Sequence, residues 1–320
     1  MYNISHKYKR ILFLLIKLVI VSGALYFIYE KLVHNQLLSF SEFQGQLAIL
    51  FSTKGWLLLL LLFFTDANWL LEIYKWKILA SLEKKLTFFE AYQQTLASLT
   101  ASIITPNRIG EYGVKALYFK QSSRKKIVLL NFIGNISQLL VTLIFGFIGV
   151  VFLFTNFKAE LPLFNLTKFL LICILISVLI IFRNRFGFAK IASNYFNKSI
   201  SFLKTIAVIT YSKILFISFA RYLVFSHQFY FLLKLFEIET DYFTLMQLLF
   251  CVYFIASIIP SLTIFDWAIK GSVAVYFFSL IHLNELTIIT VTTIMWILNF
   301  ALPTLLGSIF ILNFKFSNNT

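Results

Sequence analysis

Six long apolar runs, at residues 11–28, 55–73, 127–154, 166–182, 209–233 and 286–310, constrain this chain more than any other feature. A hydrocarbon core about 30 Å thick is crossed by roughly 20 residues of helix, and lipid offers backbone amides no partners, so runs of this length imply membrane-spanning helices. Composition agrees, since 60% of the 320 residues are hydrophobic and only 13% are charged. That balance excludes a soluble globular enzyme. The expected fold is all-α, a single polytopic membrane domain over residues 1–320.

Two further apolar stretches, 88–118 and 243–281, are interrupted by Pro106, Pro260 and charged residues. Each is either two crossings or a re-entrant hairpin. The net charge of +15 gathers in short segments between the apolar runs, a topology pattern rather than a nucleic-acid-binding one. His6, Lys7, Lys9 and Arg10 place the N-terminus in the cytoplasm, and counting crossings puts Lys75, Lys77, Lys84 and Lys85 on the same side. Lys120, Arg124, Lys125 and Lys126 return there, as do Arg183, Arg185, Lys190 and the C-terminal Lys315. Acidic Glu237, Glu239 and Asp241 mark an outer loop. The first apolar run follows a basic segment without a convincing cleavage site, so it is read as a retained helix of a cytoplasmic (inner) membrane protein. Cys173 and Cys251 lie inside apolar runs and read as inert buried thiols.

The chain also repeats itself. Residues 101–115 align without gaps on residues 256–270, a shift of 155, with Ala, Ser, Ile, Ile, Ile and Lys identical and Glu111 facing Asp266. The same shift lays the first apolar run on the fourth and the second on the fifth, and brings the third close to the sixth. Repeat one then covers 11–155 and repeat two 166–313, each with three spanning helices and one interrupted segment. An odd number of crossings per copy makes the copies inverted, the architecture associated with alternating-access transporters.

Charges at membrane depth cost about 2.5–3.5 kcal/mol each on insertion scales, so they single out candidate substrate-binding residues. Arg108, Glu111 and Lys115 follow Pro106, while Asp266 and Lys270 follow Pro260. With Gly110, the two prolines are the expected helix breaks. Arg108 suits bidentate contact with phosphate or carboxylate, whereas Lys115 and Lys270 are equally open to snorkelling toward an interface. Asp66 and Arg221 stand at repeat-equivalent positions near mid-span, and an intramembrane Asp66–Arg221 pair is expected, either as a gate or as a fold-specifying contact. Asn131, Asn135, Gln138 and Thr142 form one helical stripe, with Thr290 and Thr293 equivalent to Asn135 and Gln138; the stripe either lines a substrate path or joins helices. His227 and His282 read as interfacial or hydrogen-bonded. No metal, cofactor or catalytic set is expected.

The segment from Thr105 to Glu111, with Pro106, Arg108, Gly110 and Glu111 in register, together with the repeat and helix layout, resembles the flippase-like transmembrane domain of the lysylphosphatidylglycerol synthase family. The second motif departs from the pattern: Pro260 and Asp266 remain, but Thr263 and Phe265 stand opposite Arg108 and Gly110. The resemblance implies a domain that moves a phospholipid or other lipid-linked headgroup between leaflets. The soluble aminoacyltransferase of the family's best-understood members has no room after Phe310, so synthase activity is not expected of this chain. The expected partners are membrane lipids, anionic or lipid-linked, with a separate biosynthetic enzyme and a homo-oligomer left open. A membrane-embedded enzyme or accessory subunit of lipid-linked glycan or aminoacyl-lipid metabolism, and a small-solute or ion transporter, are the alternatives. No nucleotide-binding Gly-x-x-x-x-Gly-Lys-Ser/Thr loop occurs.

Overall fold

The computed structural model describes residues 57–103, 105, 108–157, 199–259 and 266–314, with isolated positions before residue 50. The expected spans at 11–28 and 166–182, together with Pro106, Pro260 and the side chain of Asp266, lie outside the described residues. Within them the chain is helical and contains no strand. The helices are α1 (Leu57–Ala80), α2 (Phe88–Ile103), α3 (Ile109–Leu117), α4 (Arg124–Asn156), α5 (Val208–Leu235), α6 (Tyr242–Ile258), α7 (Asp266–Ser279), α8 (Glu285–Trp296) and α9 (Leu302–Asn313), with a π-helical turn, Ile297–Ala301, joining the last two.

Among the described residues, three helical stretches are long and apolar enough to cross a membrane: α4, α5 and the continuous unit from Glu285 to Asn313. Their outward faces carry large apolar side chains such as Phe147, Phe216 and Ile309, as lipid contact requires. Helix α1 is apolar at its start but acquires Asp66, Glu72, Lys75 and Lys77. Its phase is clear. Leu61, Thr65, Asn68, Glu72 and Lys75 are buried, while Leu59, Phe63, Leu70 and Tyr74 are exposed, two faces separated by the 3.6-residue period.

Each interrupted stretch is a pair of helices in contact, α2 with α3 and α6 with α7. Helix α3 has nine residues, about 13 Å at 1.5 Å per residue, so it falls far short of a full crossing. Gly110 is not the break: it lies in the first turn of α3, and the left-handed conformation at the junction is taken by Arg108, with φ 58°. The glycine is needed for a different reason. A Cβ at Gly110 would overlap the Ala101 carbonyl oxygen, and the Gly110 amide donates to Thr105 Oγ1 at 2.8 Å, so α3 folds back tightly against the end of α2.

Close backbone approach recurs where helices cross. A Cβ at Gly307 would overlap the Leu96 carbonyl oxygen, and beside it Thr100 Oγ1 donates to the Thr304 carbonyl at 2.9 Å. This locks α9 onto α2 through small residues, the usual device where lipid removes the hydrophobic drive for helix association. The ends are pinned by short-range chemistry. Thr87 and Glu90 form a reciprocal capping box before α2, and Asp241 caps α6 through the Thr244 amide.

The π-turn has a local cause. Pro303 has no N–H, and its ring would clash with the carbonyl four residues earlier, that of Asn299. The helix widens there, so that the Leu302 amide reaches back to the Ile297 carbonyl.

Candidate functional site

The buried face of α1 meets α5 through charge. Arg221 Nη1 lies 2.6 Å from Glu72 Oε2, and the same carboxylate oxygen is 2.7 Å from Lys75 Nζ. The expected Asp66–Arg221 pair does not form. Asp66 lies on the exposed face of α1, whereas Asn68 and Glu72, two and six residues later, are turned toward α5. Arg221 takes both, its Nε donating to Asn68 Oδ1 at 2.9 Å. Lys75, expected as a cytoplasmic marker of topology, is instead a buried member of this network, its side chain 2% exposed.

A second pair adjoins the first. Lys115 Nζ donates to Glu111 Oε1 at 2.9 Å and to Asn131 Oδ1 at 2.7 Å, and it stands 4.4 Å above the Trp76 ring. Its side chain is 1% exposed, so it does not snorkel. The Trp76 indole N–H donates to Gln94 Oε1, which ties α1 to α2. Three cations, Arg221, Lys75 and Lys115, thus share two carboxylates. Each charge has a partner, which is the condition for keeping such groups out of water.

An amide relay continues from this cluster. Asn68 Nδ2 donates to Asn299 Oδ1 at 2.9 Å, and Asn299 Nδ2 donates to Gln228 Oε1 at 2.8 Å. Gln228 Nε2 in turn donates to the Leu61 carbonyl and to Thr65 Oγ1. Asn299 sits inside the π-turn, so the proline-driven widening positions the residue that joins α1 to α5.

Beside the relay is a cavity of about 570 Å³. Arg108, Arg221 and Lys270 supply its cations, and Asn68, Asn135, Gln138 and Asn299 its amides. Trp69, Tyr112, Tyr222, Tyr253, Trp267 and Trp296 supply aromatic surface. Among its described lining residues there is no carboxylate. Arg108 reaches the cavity from the left-handed position before α3, and Arg221 does so while gripped by Glu72. The volume falls in the range of about 300–1,000 Å³ that encloses small-molecule ligands.

The structure therefore gathers Arg108, Lys270, Asn135 and Gln138 at one cavity and puts Glu111, Lys115 and Asn131 behind it. The polar stripe of α4 has both of its anticipated uses. Asn131 holds Lys115, while Asn135 and Gln138 face the cavity, Asn135 donating to the Tyr112 hydroxyl at 3.0 Å. Thr290 and Thr293 are buried away from it, and Thr292 lines it instead. His227 is hydrogen-bonded to the Leu223 carbonyl and Tyr242, and Cys251 is a buried free thiol. Sequence reasoning missed Glu72, Asn68, Asn299 and Gln228. A signal existed for two of them, because Asn68, Glu72 and Lys75 fall at i, i+4 and i+7 on one helical face, and the apolar residues around them hide that periodicity.

The family model described as lysylphosphatidylglycerol synthase TM region matches residues 14–307. The chain belongs to this family. No curated protein and no solved structure matches it. Membership in a lipid-synthase membrane family, together with three stretches able to span a bilayer, makes this an integral membrane protein with a membrane-lipid-related function.

Proposed function

We propose that this protein is a lipid translocase: a headgroup enters the cavity at Arg108, Arg221 and Lys270 while its acyl tails stay in the bilayer. The observation that carries the reading is a polar, cation-lined cavity within an integral membrane protein, with no carboxylate among its described lining residues. Such a site attracts phosphate and repels cations. Arg108 and Lys270 come from the two interrupted segments, as expected if inverted copies of one module present a shared site to opposite leaflets. On this reading the N- and C-termini face the cytoplasm, and movement is either energised by a gradient or runs downhill.

The test uses purified protein in liposomes containing fluorescent phospholipids, with leaflet exchange followed by quenching from outside. Wild-type vesicles should exchange faster than protein-free vesicles, and Arg108→Ala should lose most of the gain. Equal exchange in all three preparations overturns the proposal. Exchange that ignores the headgroup, with solute uptake in its place, favours a small-solute transporter.

A further inference from the structure

The aromatic lining of the cavity is unlike the aromatic content of the chain. Phenylalanine outnumbers tryptophan 39 to 5 in the sequence, yet Trp69, Trp267 and Trp296 line the cavity against only three phenylalanines, Phe225, Phe229 and Phe300. A pocket packed for acyl chains would follow the bulk of the chain and use phenylalanine. Tryptophan and tyrosine instead combine a flat apolar face with a hydrogen-bonding edge. Four amide side chains stand among them, and an amide both donates and accepts, as a hydroxyl does.

Polar capacity at this wall also remains unused. Trp69 Nε1, Gln138 Oε1 and the Tyr253 hydroxyl are buried and lack hydrogen-bond partners, although groups of this kind are nearly always satisfied. A hydroxyl-rich ring next to a phosphate fits this lining: apolar C–H faces for the indoles, hydroxyls for the Asn135 amide that stands outside the Asn68–Asn299–Gln228 relay, and an anion for the guanidinium groups.

We propose that the cavity selects lipids whose headgroup is a sugar joined through phosphate. The inference takes its lipid from the translocase reading, but the recognition chemistry is testable without movement. The full chain in detergent micelles is titrated with glucose 1-phosphate, glycerol 1-phosphate, inorganic phosphate and glucose, following intrinsic tryptophan fluorescence. Glucose 1-phosphate should bind at least about tenfold more tightly than the other three, since one well-made charged or aromatic contact is worth about that factor. Asn135→Leu and Trp69→Phe should each remove most of this preference, with an unaltered thermal midpoint as the control for folding. Equal binding of the three anions, or binding of none, overturns the proposal. The vesicle assay separates the two ideas: exchange without a sugar preference removes this inference alone, and a sugar preference without exchange removes the translocase alone.

Discussion

The Arg221 guanidinium lies 2.6 Å from the Glu72 carboxylate, and this contact joins the wall of the cavity to the charge cluster behind it. Glu72 is shared with Lys75, so it holds Arg221 in place without fully neutralising it. The cavity therefore keeps a guanidinium that is positioned by protein and still attractive to an anion.

Glu72→Gln should leave Arg221 and Lys75 side by side without their counter-charge. Breaking one partner out of a buried ion pair typically costs about 3–5 kcal/mol, and the thermal midpoint in detergent should fall by several degrees. The double variant Glu72→Gln with Lys75→Met should recover part of the loss, because an uncompensated cation is removed with it. A single variant as stable as the parent contradicts the network.

Arg108 holds a left-handed backbone, a conformation that costs a non-glycine residue roughly 1–2 kcal/mol. Arg108→Gly relieves that strain and deletes the cation. Its unfolding midpoint should equal or exceed that of the parent, while leaflet exchange falls to the level of Arg108→Ala. Strain relief without loss of exchange would show that the cation is dispensable.

Pro303→Ala restores the missing N–H and removes the clash behind the π-turn. The helix should close to regular α geometry and rotate Asn299 away from Asn68 and Gln228. With Asn299→Cys as the probe, thiol labelling should differ between the parent background and the Pro303→Ala background; identical labelling argues that the turn has another cause.

Gly307→Ala puts a methyl group against the Leu96 carbonyl. Overpacking of this kind typically costs about 1–3 kcal/mol, read as a lower midpoint, whereas Gly113→Ala, where a Cβ meets nothing within 4 Å, should be neutral or slightly stabilising.

Two carboxylates outside the membrane-spanning segments give an acid limb to stability. Hydrogen bonding from the Thr244 amide holds Asp241 below the usual aspartate range. Burial raises Glu83, but hydrogen bonds from Ser123 and Lys126 outweigh it and leave the carboxyl below its ordinary value. A depressed folded-state pKa contributes stability above the unfolded value, about 4, and loses it as pH falls through the folded value. Asp241→Asn and Glu83→Gln should therefore be less stable than the parent at neutral pH, and the differences should shrink as pH falls below the unfolded value in a denaturation series.

The membrane class, the helical fold and the family were legible in the sequence, and Arg108, Lys270, Asn135 and Gln138, singled out there, line one cavity. Lipid leaves backbone amides no partner except the helix itself, so the lengths of the apolar runs decide the architecture with little help from packing. Partnership was another matter. A repeat alignment matches positions along the chain, but which side chain meets which depends on the phase and height of two helices against each other, and this turned Asp66 outward and brought Glu72 to Arg221. Lys75 and Lys115, read one by one, could serve as topology markers or snorkelling groups; only the packed bundle, by closing off water, required them to share carboxylates at the back of a cavity.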